Sequence, residues 1–256
     1  MSGEKGRNLS TYLLVHGGWH GAWCWDKVVP LLRKARHTVI APDLPGHGQD
    51  TASVEDRLYE RYVPRVCEIL DAQAEPVILV GHSSGGAIIT AAAEERPDQI
   101  DVLVYLAAFL LPHGVAPPSI MRDDTESLLT SSLVVDEERQ TVTVKKECAQ
   151  QVFYADCTDA DAAWATSLLV PEPLIPRGVA TLPTRETGIG HIPRVYIETL
   201  RDHALGPTTQ KKMYTALPCQ KVYSLPTSHS PFLSAPDQLA SCLLEIGALF
   251  AGSAMR

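Results

Sequence analysis

Apolar residues follow two alternating rhythms along this chain. Short runs rich in apolar, β-favouring residues predict strands at Tyr12-Leu13-Leu14-Val15, Thr38-Val39-Ile40-Ala41, Val77-Ile78-Leu79-Val80, Asp101-Val102-Leu103-Val104-Tyr105-Leu106, Arg194-Val195-Tyr196-Ile197-Glu198-Thr199-Leu200 and Lys221-Val222-Tyr223-Ser224-Leu225, the first and fourth of them read as buried. Between them, apolar residues recur at helical spacing. Residues 25–35 carry Trp25, Val28, Val29, Leu31 and Leu32, with Pro30 tolerable only in a first turn or at a kink. Residues 54–72 place Leu58, Tyr62, Val66, Ile69 and Leu70 on one face, interrupted by Pro64. Further helices are predicted over 87–95, 208–216 and 236–250. Strands alternating with helices predict right-handed crossovers and a parallel sheet.

The alternation breaks between residues 111 and 190. Leu133-Val134-Val135 and Thr141-Val142-Thr143-Val144, separated by the charged Asp136-Glu137-Glu138-Arg139, predict a small hairpin. Residues 159–169 predict a short helix ending before Pro171. The chain thus divides into an α/β core, residues 1–110 and 191–256, and an insertion, residues 111–190. An insertion at the carboxyl edge of a parallel sheet lies over the ligand crevice, so it is read as a lid that excludes water.

The central run leads into Gly81-His82-Ser83-Ser84-Gly85-Gly86, followed by the helical pattern of 87–95. Strand, Gly-x-Ser-x-Gly turn and helix together form the setting of a nucleophile elbow, in which Ser83 is exposed above the sheet edge. Glycine is needed at positions 81 and 85 because strand and helix approach too closely for a β-carbon. A serine hydroxyl needs a base, and that base needs a third group to fix its tautomer. Of nine histidines, His229 follows the last strand, at the edge where the serine is displayed. Asp202 follows the preceding strand, which completes the order serine, acid, histidine. Glu198 and Asp124 are weaker candidates for the acid. The oxyanion formed on attack needs two backbone N–H donors, Ser84 after the nucleophile and Gly18 in His16-Gly17-Gly18-Trp19. His16 is expected to brace that loop, His82 to support the turn, and His203 to be a loop residue.

Composition narrows the field. A chain of 256 residues with 45% hydrophobic and 20% charged residues suits one large soluble domain. The net charge of -8 and the lack of a Lys/Arg run argue against a nucleic-acid partner. The polar start and the absence of an apolar run of about 18 residues argue against secretion and membrane insertion, so a cytoplasmic location is expected. Six scattered cysteines lack metal-ligand spacing and predict neither a disulfide framework nor a zinc site. The proposed chemistry needs no cofactor and no metal.

With these residues placed, the chain resembles the α/β-hydrolases over nearly its whole length. It is most similar to the plant methylesterase and hydroxynitrile lyase group and its bacterial carboxylesterase relatives. The resemblance rests on Leu14-Val15-His16-Gly17-Gly18-Trp19-His20-Gly21-Ala22-Trp23, the elbow, Leu106-Ala107-Ala108-Phe109, and Arg194-Val195-Tyr196-Ile197 leading to Asp202. It implies a mainly parallel six-stranded sheet with a lid, a small-molecule ester substrate and a homodimer as the form to look for. The Asp43-Leu44-Pro45-Gly46-His47-Gly48 loop has the common bacterial form, so a plant-hormone ester is not implied. Trp164, Phe109, Leu110, Leu168 and Leu169 are candidate pocket walls for a hydrophobic or aromatic group, with lid-core packing as the alternative. The leading expectation is a serine carboxylesterase. Lactonases, carbon–carbon bond hydrolases and cofactor-free haloperoxidases keep the serine and remain open, as does a hormone-type receptor with slow turnover. The lyases of the group carry a threonine where this chain has Gly17 and a lysine where it has Ser230, which argues against cyanohydrin cleavage.

Overall fold

The six apolar runs read as core strands form one sheet in the computed structural model, which describes residues 9–52, 59–112, 115, 117–174 and 189–252. In chain order the core comprises β1 (Thr11–Val15), α1 (Val29–Lys34), β2 (Thr38–Ile40), α2 (Tyr59–Asp71), β3 (Val77–His82), α3 (Gly85–Glu95) and β4 (Ile100–Leu106). An insertion follows, with α4 (Pro117–Asp123), β5 (Leu133–Asp136), β6 (Thr141–Val144), α5 (Lys146–Phe153), α6 (Asp159–Ser167) and β7 (Glu172–Pro173). The core then resumes with β8 (Arg194–Thr199), α7 (Pro207–Ala216), β9 (Lys221–Leu225), α8 (Pro231–Ser234) and α9 (Pro236–Phe250). The strand order is β2-β1-β3-β4-β8-β9, and every neighbouring pair is parallel.

Side chains alternate across this sheet with the strand period of two, and each face builds its own core. Tyr12, Leu14, Ile78, Val80, Val102, Val104, Val195 and Ile197 pack with Leu32 of α1 and Leu239, Leu243 and Ile246 of α9. Leu13, Val15, Leu79, Leu103, Tyr105 and Tyr196 pack on the opposite face with Val66 of α2, Ile88 and Ile89 of α3 and Met213 of α7. Burial on both faces explains why the runs of β1, β3 and β4 are unbroken rather than alternating in polarity; the edge strands β2 and β9 are only partly buried. Among the described residues, no helix is long and apolar enough to cross a membrane.

Local departures from the sequence reading have identifiable causes. The helix expected over 25–35 begins only at Val29, after a 3₁₀ turn at Ala22–Trp25, because Pro30 lacks an amide donor and fits the first helical turn. The helix expected over 54–72 is described from Tyr59 to Asp71 and runs through Pro64; residues 53–58 lie outside the described residues. In the insertion the predicted hairpin forms as β5 and β6, and β7 adds to it as a third antiparallel strand. Helix α5 was not anticipated, although its buried Ala149, Val152 and Phe153 have helical spacing.

The tightest backbone approach lies at the elbow. A β-carbon on Gly81 would stand 2.6 Å from the Gly85 carbonyl oxygen, and one on Gly85 would stand 2.8 Å from that of His16. These neighbours are backbone atoms and cannot rotate away. Gly85→Ala is therefore expected to lower the unfolding free energy by roughly 1–3 kcal/mol, read as a reduced urea midpoint at unchanged slope.

Candidate active site

All six core strands are parallel, so their carboxyl ends share one edge, and the candidate residues are carried on the loops that leave it. Ser83 has φ 53°, a left-handed conformation rare for a residue with a side chain. Its surroundings hold it there. Its N–H donates to the Leu106 carbonyl at 3.2 Å, while its own carbonyl accepts from Gly86 at 3.1 Å and Phe109 at 3.0 Å. Leu106-Ala107-Ala108-Phe109 thus braces the elbow from the end of β4. The Tyr196 hydroxyl steadies that brace, accepting from the Ala108 N–H at 3.0 Å and donating to the Ala108 carbonyl at 2.8 Å. Ser84 is the N-cap of α3, where a helix leaves its first N–H groups without helical partners.

His229 and Asp202 meet on the loops after β9 and β8. The His229 Nδ1–H donates to Asp202 Oδ2 at 2.8 Å, with both side chains almost wholly buried. Nε2 is then the ring nitrogen left to act as a base. Asp202 is oriented by four further donors. Its Oδ2 accepts from Thr199 Oγ1 at 2.8 Å and Gln210 Nε2 at 3.0 Å, and its Oδ1 accepts from the N–H groups of Ala204 and Leu205 at 2.8 and 2.9 Å. The other two carboxylates are engaged elsewhere. Asp124 accepts from the Gly206 N–H at 2.7 Å, and Glu198 bonds Tyr214 and Ser224. His203 bonds the Gln151 carbonyl at 3.1 Å.

Three buried histidines organise the remaining loops. The Leu44 N–H donates to His16 Nε2 at 3.1 Å, so His16 carries its proton on Nδ1 and donates to the Gly17 carbonyl at 2.9 Å. His20 donates from Nδ1 to the Gly18 carbonyl at 2.7 Å and accepts at Nε2 from the Tyr154 hydroxyl at 2.9 Å. His82 donates from Nε2 to the His229 carbonyl at 3.0 Å, leaving its buried Nδ1 without a hydrogen-bond partner. Desolvation holds His16 and His82 well below the ordinary histidine range and pushes His20 down to about 3. Neutral rings are what the paired acceptor nitrogens of His16 and His20 require.

The candidate pocket residues are scattered. Trp164, 40% exposed, meets Trp23 edge-on at 5.3 Å. Phe109 and Leu110 are buried in the core that contains Leu79 and Ile89, while Leu169 packs on the opposite core and Leu168 caps the end of α6. Phe153 lies beside His229, with its ring 5.7 Å from that of His229. Sequence reasoning also passed over Gln210, Asp156 and Glu172. Asp156 accepts from the Ser228 N–H at 2.9 Å and from the Ser228 hydroxyl, anchoring the His229 loop to the insertion. Among the described residues no cluster of His, Cys, Asp or Glu could hold a metal ion, and all six cysteines are free thiols.

Residues 12–241 match the model of the alpha/beta hydrolase family, and the chain belongs to that family. It is 30% identical to Methylesterase 17 of Arabidopsis thaliana, over 94% of this chain and 93% of that protein. It is 34% identical to a pyrethroid hydrolase of Sphingobium wenxiniae, over 93% of this chain and 87% of that protein. Among solved structures, tomato Methylketone Synthase I in complex with 2-tridecanone superposes with a TM-score of 0.85 at 27% identity, covering 95% of this chain and 100% of that one. These relatives support the resemblance to plant methylesterases and bacterial esterases drawn from the motifs.

The buried histidines make stability depend on pH. An unfolded histidine takes up a proton below about 6.5, whereas the fold keeps these three neutral to lower pH. The stabilisation is fully present above about 6.5 and is lost as pH falls towards the folded values, about 3 for His20. The melting midpoint is expected to drop between about pH 7 and about pH 5, and His20→Gln, which cannot titrate, should flatten the slope.

Proposed function

We propose that this protein is a serine carboxylesterase that hydrolyses a hydrophobic or aromatic carboxylic ester through an acyl-enzyme. The observation that carries the reading is the buried 2.8 Å bond between His229 Nδ1 and Asp202 Oδ2, on the sheet edge that also presents the strained Ser83. Ser83 Oγ attacks the ester carbonyl carbon, and His229 Nε2 takes the serine proton while Asp202 stabilises the imidazolium. The carbonyl electron pair moves to oxygen, where the N–H groups of Gly18 and Ser84 receive it. Collapse expels the alcohol, which takes the proton from His229. Water, activated by His229, then releases the acid and restores Ser83. The scheme uses neither cofactor nor metal.

Residues 111–190 serve as the cap of this site in the same reading. In support, the described part of the insertion reaches both the Trp19 loop, through Glu172, and the His229 loop, through Asp156. A pyrethroid hydrolase and a structure holding the long-chain ketone 2-tridecanone among the relatives support an apolar substrate. A Ser-His-Asp set supports turnover over the receptor alternative.

Ser83→Ala and His229→Ala are each expected to lower kcat by on the order of 10⁴-fold or more, with the double variant scarcely worse, because such residues act as a unit. Additive losses would sink the shared assignment. Asp202→Asn should remain folded and lose up to about 10⁴-fold through the wrong imidazole tautomer. Chromogenic esters of rising chain length, assayed on these variants, supply the measurement.

Cyanohydrin cleavage offers a second test. A β-carbon at Gly17 would stand 2.8 Å from Ser83 Cβ, so a threonine there meets the nucleophile itself. Ser230, at the lysine position of the lyases, is fully buried and supplies no cation for departing cyanide. Mandelonitrile should therefore yield no appreciable cyanide. Release at a rate comparable to the best ester turnover, lost in Ser83→Ala, would overturn the ester assignment.

A further inference from the structure

Trp19 directly follows the proposed oxyanion donor Gly18, and its φ of 63° lies in the left-handed region. Each of its polar groups is bonded to the insertion. Its N–H donates to Glu172 Oε1 at 2.8 Å, its carbonyl accepts from the Val170 N–H at 3.0 Å, and its indole N–H donates to the Val142 carbonyl at 3.0 Å. Val142 and Glu172 are register partners on β6 and β7, so two of these bonds come from one cross-strand pair. Glu172 is itself held from the core. Its Oε1 also accepts from His47 Nε2 at 2.8 Å, and its Oε2 accepts from the Tyr62 hydroxyl at 3.3 Å.

These bonds bear on the reacting centre through two peptide planes. The plane joining Gly17 to Gly18, whose N–H is the proposed donor, is held by His16 at the Gly17 carbonyl. The plane joining Gly18 to Trp19 is held at both ends, by His20 at the Gly18 carbonyl and by Glu172 at the Trp19 N–H. Gly18 has no side chain to limit its rotation, so its flanking planes determine where its N–H points. Glu172 also lies close by. A β-carbon on Gly18 would stand 3.4 Å from both Glu172 Oε1 and Ser84 Oγ.

We infer that Glu172 is a positioning residue for the oxyanion hole: reaching across from the insertion, it fixes the peptide after Gly18 and so aims the Gly18 N–H. The inference rests on the esterase reading with Gly18 as donor. It makes β6 and β7 part of the apparatus that sets transition-state geometry, as well as a cover over the site. Because the bond to Trp19 needs an acceptor rather than a charge, a glutamine at position 172 can replace it.

The test uses the full chain with p-nitrophenyl butyrate as substrate and an alkyl trifluoromethyl ketone as oxyanion probe. In the probe adduct, Ser83 Oγ bonds to the ketone carbon, the carbonyl electron pair moves onto oxygen, and the serine proton passes to His229. Glu172→Ala is expected to lower kcat by on the order of 10–100-fold with little change in KM, and to weaken the ketone by a similar factor, since a donor is misaimed rather than removed. Glu172→Gln should stay within about threefold of wild type in both readouts. A merely structural role would lower the melting midpoint of Glu172→Ala while leaving kcat per folded molecule and ketone affinity unchanged, and that result overturns the inference. Equal losses in the alanine and glutamine variants overturn it as well. Should Glu172→Ala fail to fold, Glu172→Asp decides, because it keeps the carboxylate but draws it back from the Trp19 N–H by one methylene: a joint loss of kcat and ketone affinity supports the inference, and no loss in either overturns it. Ser83→Ala run alongside isolates the underlying reading, because wild-type turnover in that variant defeats the esterase assignment and this inference with it.

Discussion

A serine held at positive φ costs about 1–3 kcal/mol, and most of the architecture around it serves to maintain that conformation. The Ser83 backbone is bonded forwards into α3 and sideways to the end of β4, and the close approach of Gly81 to Gly85 leaves the turn no room to relax. Ala107, at the end of β4, also has positive φ and is tied to the Ile197 carbonyl of β8. The strained turn therefore rests on three adjacent parallel strands rather than on its own residues. The same parallel order brings the loops after β1, β3, β8 and β9 to one edge. Fold and candidate chemistry share this constraint.

Around the elbow, polar groups are buried in numbers that only hydrogen bonding can sustain. A buried polar group without a partner costs about 1–3 kcal/mol, so the tautomers of His16 and His20 are determined by the donors and carbonyls that face them. Asp202 is likewise surrounded by five donors, two of them backbone N–H groups. Among the described residues His82 Nδ1, beside the approach of Gly17 to Ser83, is a buried atom without a partner, as are Thr227 Oγ1 and Ser230 Oγ on the His229 loop. The network is rigid because its members are neutral or tightly paired. It orients His229 from two directions, through Asp202 at Nδ1 and through His82 at the backbone carbonyl.

The insertion grips this network at Trp19, at His20 and at Ser228, the second through the Tyr154 hydroxyl. Its small sheet buries little by itself, and β5 leaves Val134 and Val135 exposed. Its attachment to the core is correspondingly polar and specific, through Glu172 and Asp156, together with the packing of Phe153 between the Trp19 and His229 rings. Ordering the insertion and ordering the loops of the site are therefore coupled, since each supplies acceptors that the other must satisfy.

The sequence by itself determined the parallel α/β architecture, the elbow at Ser83 and the placement of Asp202 and His229 on loops after adjacent strands. These features are written in local patterns: runs of strand residues, helical spacing, and glycines at a turn. It also marked out the hairpin of β5 and β6. It left Pro30 and Pro64 as ambiguous helix residues, since one proline fits a first turn and the other sits within a helix. Only the tertiary structure decided what holds the site together. Trp19 and Glu172 are 153 positions apart, His20 and Tyr154 are 134, and Ser228 and Asp156 are 72. No periodicity connects such pairs, because a side-chain hydrogen bond across the fold depends on where two packed elements bring their atoms, and a glutamate followed by a proline in a short strand looks in sequence like any surface residue.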